Sequence, residues 1–456
     1  MSETPCIPPE ARIASASGDH LFQDSIFALS SGSLPSGVAI IRVSGPHVRA
    51  ALASICGSVP APRQAVLRRF RDADGRTIDR GIALFFARPA SFTGEDCAEL
   101  HLHGGKAVVQ AVLRRLGGME GLRQAEAGEF TRRAFLYGKL DLTAAEGLAD
   151  LIAAETEAQR RLALDNAEGG QRQLYEGWRR CLLYARAMIE AELDFADEAD
   201  VPGSVADVVT GDLARLQAEI SAHLDGFRAA EIVRDGFRVV LVGAPNAGKS
   251  SLLNALARRE VAIVTEIAGT TRDLVEASLD IDGMKIVVTD TAGLRATEDK
   301  VERIGVARAR EAGMRADLVL ELTDPGSTTI TAEVEDWTAP VLRIATKADL
   351  RGEALAGFDH CVSVVTGAGL DELKATIAAQ AKDATGALGR TIPTRQRQVG
   401  LLDNARQHIE AALGCDALEL RAEHLRLAGD AIGRITGAID VEELLGVIFA
   451  EFCIGK

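Results

Sequence analysis

The chain has 456 residues, 47% apolar and 26% charged, which is ordinary globular stock with room for about two to four domains. Its net charge of −15 argues against a broad surface for coating nucleic acid, while leaving room for a local basic groove. No apolar run reaches the length of a membrane span, and residues 1 to about 21 lack the apolar stretch of a signal peptide. Seven scattered cysteines without a CxxC pair suit reduced thiols in the cytoplasm.

From Asp24 to about Gly138 the pattern is α+β. Val38–Val43 and Ile82–Phe86 read as strands, and Glu99, His101 and His103 share one face of a third. Gly104-Gly105 then leads into a helix from Ala107 to about Leu116. Residues 139–235 read as helical, with an apolar stripe of Leu174, Trp178, Leu182, Ala185, Ile189 and Leu193, broken at Val201-Pro-Gly-Ser204. Over 236–388 strands and helices alternate. Strands are expected at 237–242, 275–281, 285–290, 317–323 and 341–346, which predicts a mostly parallel sheet with its ligand at the strand C-termini. Residues 389–456 return to helix. Two helical tracts flanking one α/β unit are most simply a helical domain with a nucleotide domain inserted into it.

The stretch Gly243-Ala-Pro-Asn-Ala-Gly248-Lys249-Ser250 fits G-x-x-x-x-G-K-[ST] between an apolar strand and a helix. In that setting backbone N–H groups and the helix N-terminus gather around phosphate. Lys249 is expected to reach the β- and γ-phosphates, and Ser250 to hold Mg²⁺. Three further pieces follow in order. Gly269-Thr270-Thr271-Arg272-Asp273 offers a threonine for Mg²⁺. Asp290-Thr291-Ala292-Gly293 ends a strand with a carboxylate for the metal's water shell and an amide for the γ-phosphate. Thr346-Lys347-Ala348-Asp349 places a carboxylate to pair with guanine N1–H and N2–H₂, a donor pair adenine lacks. Each of these three alone would be loop chemistry; with the phosphate loop they point to a GTPase.

Ras-like proteins place a water-orienting glutamine just after the Asp-x-x-Gly, and here that place holds Leu294, which cannot orient water. Glu302 lies nearby on the charged segment Glu298–Arg303, either a solvated face or the missing catalytic group. Asn246, followed by the long segment Val261–Thr271, suggests a monovalent cation held by an amide oxygen and loop carbonyls. That charge would replace an arginine finger.

With Ile41-Arg-Val-Ser-Gly45, Ser91-Phe-Thr-Gly-Glu-Asp96, His103-Gly-Gly105, Gly128-Glu-Phe130, Phe135–Leu142 and the terminal Cys453-Ile-Gly-Lys456, residues 24–456 resemble the MnmE (TrmE) family of tRNA-modification GTPases. The resemblance implies an N-terminal α+β folate-binding and dimerisation domain over 24–138, a helical domain in two parts, 139–235 and 389–456, and a Ras-like P-loop GTPase domain over 236–388. It also implies a K⁺-stimulated cytoplasmic GTPase that forms homodimers. The GTPase domains would approach each other across the nucleotide, and the partner would be the FAD-bearing MnmG. Together the two would install 5-carboxymethylaminomethyl or 5-aminomethyl groups on the wobble uridine of tRNA. The carbon would come from 5,10-methylene- or 5-formyl-tetrahydrofolate.

Position by position, the resemblance implies catalytic roles for Glu302, Lys249 and Cys453. It implies K⁺ on Asn246, Thr265, Ile267 and Thr270, and Mg²⁺ on Ser250 and Thr271. GTP contacts would come from Asn246, Ala247, Gly248, Lys249, Ser250 and Ser251, then from Thr265, Glu266, Ile267, Ala268, Gly269, Thr270 and Thr271. Further GTP contacts would be Asp290, Thr291, Ala292, Gly293, Thr346, Lys347, Asp349 and Ser363. Folate would meet Arg42, Glu99, Lys139 and Lys456. Cations suit its glutamate tail, and a carboxylate suits the pterin amide–amine edge.

Three stretches depart from the family pattern. Thr346 stands where the guanine motif usually has asparagine, so weaker nucleotide affinity is expected, with Asp349 preserving the preference for guanine. Ser363-Val364-Val365-Thr366 differs from the usual Ser-Ala-Lys/Arg, and Ser31–Gly37 replaces a more glycine-rich loop. Other residues have two readings. Cys453 suits a reactive thiol or buried packing, and the tail makes a poor prenylation box. Glu99, His101 and His103 lack a fourth metal ligand, so His103-Gly-Gly105 reads as a turn beside the folate pocket and His101 as structural. Arg68-Arg69 and Arg132-Arg133 are either solvated pairs or contacts for tRNA phosphate. Arg272 either contacts phosphate or serves the switch loop. One rival function is a GTP-switched ribosome-assembly or binding factor without modification chemistry, against which the terminal Cys-Ile-Gly-Lys and the folate constellation weigh; a second is a folate-dependent methyltransferase-like enzyme with an appended regulatory GTPase.

Overall fold

The computed structural model describes residues 21–194, 205–244, 246–259, 262–263, 275–290, 313–326, 337–350, 356–386 and 391–439, with 445, 448, 449, 452 and 455 near the end. Two compact units divide the chain: residues 1–140 with 442–456, and residues 141–441.

In the first unit the elements are β1 (Ser25–Leu29), β2 (Ser36–Ser44), α1 (Val48–Cys56), β3 (Val66–Arg71), β4 (Thr77–Phe86), β5 (Cys97–Gly104), α2 (Lys106–Gly117), β6 (Leu122–Gln124) and α3 (Glu129–Leu136). The six strands are ordered β3-β4-β5-β2-β1-β6. Strand alternation sends Ile41, Val43, Phe85, Leu100 and Leu102 to one face, where they pack with Leu52 and Ile55 of α1 and Val109 and Val112 of α2. Each such side chain contributes roughly 1.5–3 kcal/mol by leaving water. The opposite face carries a small apolar cluster of Ile26, Ala28, Ala125 and Phe130 beside charged groups.

The end of the chain lies on this unit. Gly455 has φ +99°, and a Cβ there would meet Leu29 O at 2.2 Å, so only glycine lets the tail close against β1. Ser30 Oγ donates to Gly455 O at 2.7 Å, and the Phe449 ring packs on Phe452 and Phe135.

The second unit begins with α4 (Leu142–Ala153), α5 (Glu157–Ala167), α6 (Gly170–Asp194), α7 (Val205–Asp225) and α8 (Phe227–Asp235). Asp141 caps α4, and Thr156 with Gln159 forms a capping box on α5. An α/β segment follows: β7 (Phe237–Gly243), α9 (Lys249–Arg259), β8 (Ala262–Ile263), β9 (Val275–Ile281), β10 (Met284–Asp290), β11 (Leu318–Thr323), β12 (Val341–Ala345), β13 (His360–Cys361) and α10 (Leu370–Thr385). The unit ends with α11 (Gln396–Leu413) and α12 (Leu418–Thr436).

Two cores result. Trp178, Leu182, Ala185 and Ile189, four of the six residues of the expected stripe on α6, pack with Leu213 and Ile220 of α7, Leu402 and Ile409 of α11, and Leu425 and Ile432 of α12, and Leu174 and Leu193 pack partly buried against them. The other core surrounds a seven-stranded sheet ordered β13-β12-β11-β7-β10-β9-β8. Its strands are parallel from β13 through β10, and β9 pairs antiparallel with both β10 and β8. The turn between β9 and β10 rests on α5, where Ala158 N donates to Gly283 O at 3.0 Å and Lys285 pairs with Glu155 at 2.7 Å. Among the described residues no helix is long and apolar enough to cross a membrane.

Candidate functional site

Three strand ends build the site in the second unit. β7 is an apolar run at the middle of the sheet, and it stops at Gly243, whose φ is +146°. A Cβ at 243 would lie 2.2 Å from Leu322 O on β11, so glycine lets the backbone turn away from the sheet without a clash. The loop continues through Asn246 (φ +65°) and Gly248 (φ +95°) into α9. Asparagine tolerates the left-handed region better than most residues.

Lys249, the first residue of α9, is buried, and its Nζ donates to Gly243 O at 2.6 Å and Ala244 O at 3.0 Å. The ammonium is thus folded back over its own loop. Burial pulls its pKa below the usual lysine value, and the Asp290 carboxylate partly opposes that shift.

β10 runs parallel to β7 with Asp290 opposite Leu241, which brings its last carboxylate to the loop. Ser250 Oγ donates to Asp290 Oδ2 at 2.5 Å. A hydroxyl and a carboxylate side by side are the hard oxygen donors that Mg²⁺ takes, so these residues fit the ion.

Beyond β12, Thr346 is buried, and its Oγ1 donates to Ala247 O at 2.8 Å, with Thr323 O at 3.2 Å. Lys347 has φ +55°, and its Nζ meets Asp324 at 2.7 Å. Asp349 stands in a 3₁₀ turn, Ala348–Leu350, and its Oδ1 accepts from Ser363 Oγ at 2.5 Å. The structure therefore brings together Asn246, Ala247, Gly248, Lys249, Ser250, Asp290, Thr346, Lys347, Asp349 and Ser363, with Ser251 on the first turn of α9. The expected positions Thr265, Glu266, Ile267, Ala268, Gly269, Thr270, Thr271, Arg272, Thr291, Ala292, Gly293, Leu294 and Glu302 lie outside the described residues.

In the first unit, Arg42 on β2 stands opposite Glu99 on β5. The guanidinium meets Glu99 Oε1 at 3.0 Å and lies 5.3 Å from the Phe92 ring centre and 5.8 Å from that of Phe130. His101 Nε2 is 3.4 Å from Glu99 Oε2, and Lys139 Nζ donates to Pro89 O at 3.0 Å. A carboxylate paired with a guanidinium that lies beside two aromatic rings fits a flat heteroaromatic group with an acidic tail. Cys453 and Lys456 lie outside the described residues. Among the described residues no cluster of three or more His, Cys, Asp or Glu is placed to hold a metal.

Two readings change. His103-Gly104 is the end of β5 and Gly105 the N-cap of α2, so this is a strand end meeting a helix and no separate turn. His103 is held by Asp79, through Nδ1 and the backbone N–H, both at 2.8 Å. Arg133 is fully buried and is not a surface contact for tRNA. It pairs with Asp24 at 2.8 Å, Glu129 at 3.0 Å and the fully buried Glu95 at 3.3 Å. Neither this cluster nor the bond from Thr346 to the loop had a signal in the sequence.

A phosphate-loop motif at the end of a central parallel strand, with one carboxylate at the next strand end and another two strands away, is the arrangement of a P-loop GTPase. The sequence pattern of the MnmE helical domain matches residues 142–453, and that of the GTP-binding protein TrmE N-terminus matches 25–139. The chain is 57% identical over 436 residues to the tRNA modification GTPase MnmE of Brucella anthropi, covering 95% of this chain and 98% of the relative. It is 56% identical over 440 residues to that of Mesorhizobium japonicum, covering 95% and 99%. Among solved structures, the G domain of the T. maritima FeoB iron transporter matches 32% of this chain and 98% of its own length at 28% identity, with a TM-score of 0.25. This chain belongs to the MnmE family of tRNA modification GTPases.

Proposed function

We propose that this protein is a K⁺-dependent GTPase that works with the FAD protein MnmG. Together they form 5-carboxymethylaminomethyl or 5-aminomethyl uridine at the tRNA wobble position, using a tetrahydrofolate carbon. It acts in the cytoplasm as a homodimer. Residues 24–138 bind folate and dimerise, 236–388 form the GTPase domain, and 139–235 with 389–456 form the helical domain into which it is inserted, although residues 442–456 group with the first unit. The observation that carries this reading is the meeting of Lys249, Ser250, Asp290 and Thr346 at one loop, in a chain with 57% identity to a named MnmE.

In this reading Lys249 leaves the carbonyls of Gly243 and Ala244 for the β- and γ-phosphates. Ser250 and Thr271 hold Mg²⁺, with Asp290 on its water shell. Asn246, Thr265, Ile267 and Thr270 would hold K⁺, which would supply positive charge beside the phosphates. Glu302 orients water in place of the glutamine that Leu294 cannot replace. Arg42, Lys139 and Lys456 hold the folate tail, Glu99 takes the pterin edge, and Cys453 supplies a reactive thiol. The two helical parts share one core on either side of the GTPase segment, which gives movement of that segment a route into the helices.

The test is nucleoside mass analysis of tRNA from cells lacking the gene. The expected result is loss of the modified wobble uridine, restored by the wild-type gene and not by Glu302→Ala. Unchanged wobble nucleosides would leave a GTPase of another purpose.

A further inference from the structure

In Thr346 this chain has lost the side-chain amide usual at the head of the guanine motif, and the structure shows how its replacement is used. Thr346 is buried at the end of β12, and its N–H is already spent on Thr323 O at 2.9 Å. Its hydroxyl has one proton to give, and its partners among the described residues are carbonyl oxygens, Ala247 O at 2.8 Å and Thr323 O at 3.2 Å. That proton is committed to the backbone. Ala247 and Gly248 belong to the phosphate loop, and a Cβ at 248 would touch Thr346 at 3.7 Å. Thr346 therefore packs against the loop and anchors it.

Guanine presents two kinds of group. N1–H and N2–H₂ are donors, and N7 and O6 are acceptors. Asp349, ionised, is acceptor-only, and Ser363 fixes its orientation through Oδ1 at 2.5 Å. The carboxylate can read the donor edge. The Thr346 hydroxyl has no proton left for N7. We propose that, within this motif, guanine is recognised through its donor edge by Asp349 while N7 goes unread, and that Thr346 acts as a positioning residue for the phosphate loop. This deepens the GTP-binding reading above and rests on it.

The test uses the full chain and three nucleotides: GTP, 7-deaza-GTP, in which C–H replaces N7, and ITP, which lacks the N2 amino group. Equilibrium titration of the wild type should give 7-deaza-GTP within threefold of GTP and ITP weaker by about tenfold or more. A loss beyond threefold on removing N7, with GTP still bound, would overturn the proposal. If GTP itself did not bind, the GTPase reading would fail instead, so the two failures are separable. Thr346→Val keeps the shape and removes the anchor, so affinity for all three nucleotides should fall by a common factor. A change in their ratios would assign Thr346 to the base. Thr346→Asn restores an amide donor and should create a preference for GTP over 7-deaza-GTP that the wild type lacks. The wild-type comparison stands whether or not either variant folds.

Discussion

Asp290 and Ser250 are forty positions apart in sequence, yet Ser250 Oγ lies 2.5 Å from Asp290 Oδ2. The cause is strand register: β10 is parallel to β7 with Asp290 beside Leu241, so the Asp290 carboxylate arrives where the phosphate-loop motif begins. Asp290→Asn keeps the shape and removes the charge. Loss of an outer-shell partner typically costs 10–100-fold in metal affinity or activity. The Mg²⁺ concentration for half-maximal GTP turnover should rise by about that factor. An unchanged Mg²⁺ titration would detach Asp290 from the ion.

Asn246 is held at φ +65°, a conformation that costs most L-residues roughly 1–2 kcal/mol. Replacing Na⁺ by K⁺ should raise GTP turnover several-fold in the wild type. The informative variant is Asn246→Gly, which relaxes the backbone while removing the amide oxygen. Its turnover should become equal in the two salts. Retained K⁺ stimulation would move the cation elsewhere.

Arg133 is buried among Asp24, Glu95 and Glu129, with its guanidinium 4.1 Å from the Phe22 ring centre. Removing one partner of a buried ion pair strands the others, at about 3–5 kcal/mol. Arg133→Ala should lower the urea midpoint of unfolding accordingly. Arg132→Ala, at an exposed position, should stay within about 0.5 kcal/mol of wild type. Burial alone would raise the pKa of Asp24 and Glu129, but hydrogen bonds from Arg123 and Arg133 outweigh it and hold both below the usual carboxylate range. Carboxylates depressed in the folded state stabilise it above their unfolded pKa values and stop doing so as the pH falls through the folded ones. The contribution should therefore fade in acid, and Arg133→Ala should show a shallower acid limb. Equal midpoints for Arg132→Ala and Arg133→Ala would contradict the buried cluster.

The legible parts of the chain were those whose pattern is local. β5 alternates, and β2, β4, β7, β10, β11 and β12 each contain a short apolar run, so their existence followed from local pattern. β3 did not show: in Val66-Leu-Arg-Arg-Phe-Arg71 only Phe70 is buried, so arginines hide the alternation. β6 and β13, of three and two residues, are too short to carry a period. The phosphate loop was legible because its chemistry is contiguous. The Arg133 cluster was not, since its carboxylates come from residues 24, 95 and 129, and only the fold makes them neighbours.

Arg42 and Glu99 face each other across β2 and β5, about a quarter exposed, with the guanidinium beside the rings of Phe92 and Phe130. Losing a hydrogen bond to a charged group costs roughly 1.5–3 kcal/mol. Arg42→Ala should weaken 5-formyl-tetrahydrofolate binding by about tenfold or more in a calorimetric titration while GTP binding is kept. Undiminished folate affinity would remove this pair from the site.

His223 is buried in the helical core, with Nε2 3.0 Å from the Tyr175 hydroxyl and its ring edge-on to Trp178. Burial pushes its pKa down to about 4, against a weaker opposing hydrogen bond to the Thr391 backbone. A histidine depressed in the folded state is protonated first in the unfolded chain. Its contribution is therefore full above about pH 6.5 and declines as the pH falls towards about 4. The whole shift corresponds to about 3 kcal/mol. Urea midpoints should fall between pH 7 and 5 in the wild type, and His223→Phe should fall less over the same interval. If both chains lose stability in parallel, the acid sensitivity belongs to other groups, and the neutral imidazole bonded to Tyr175 is not its source.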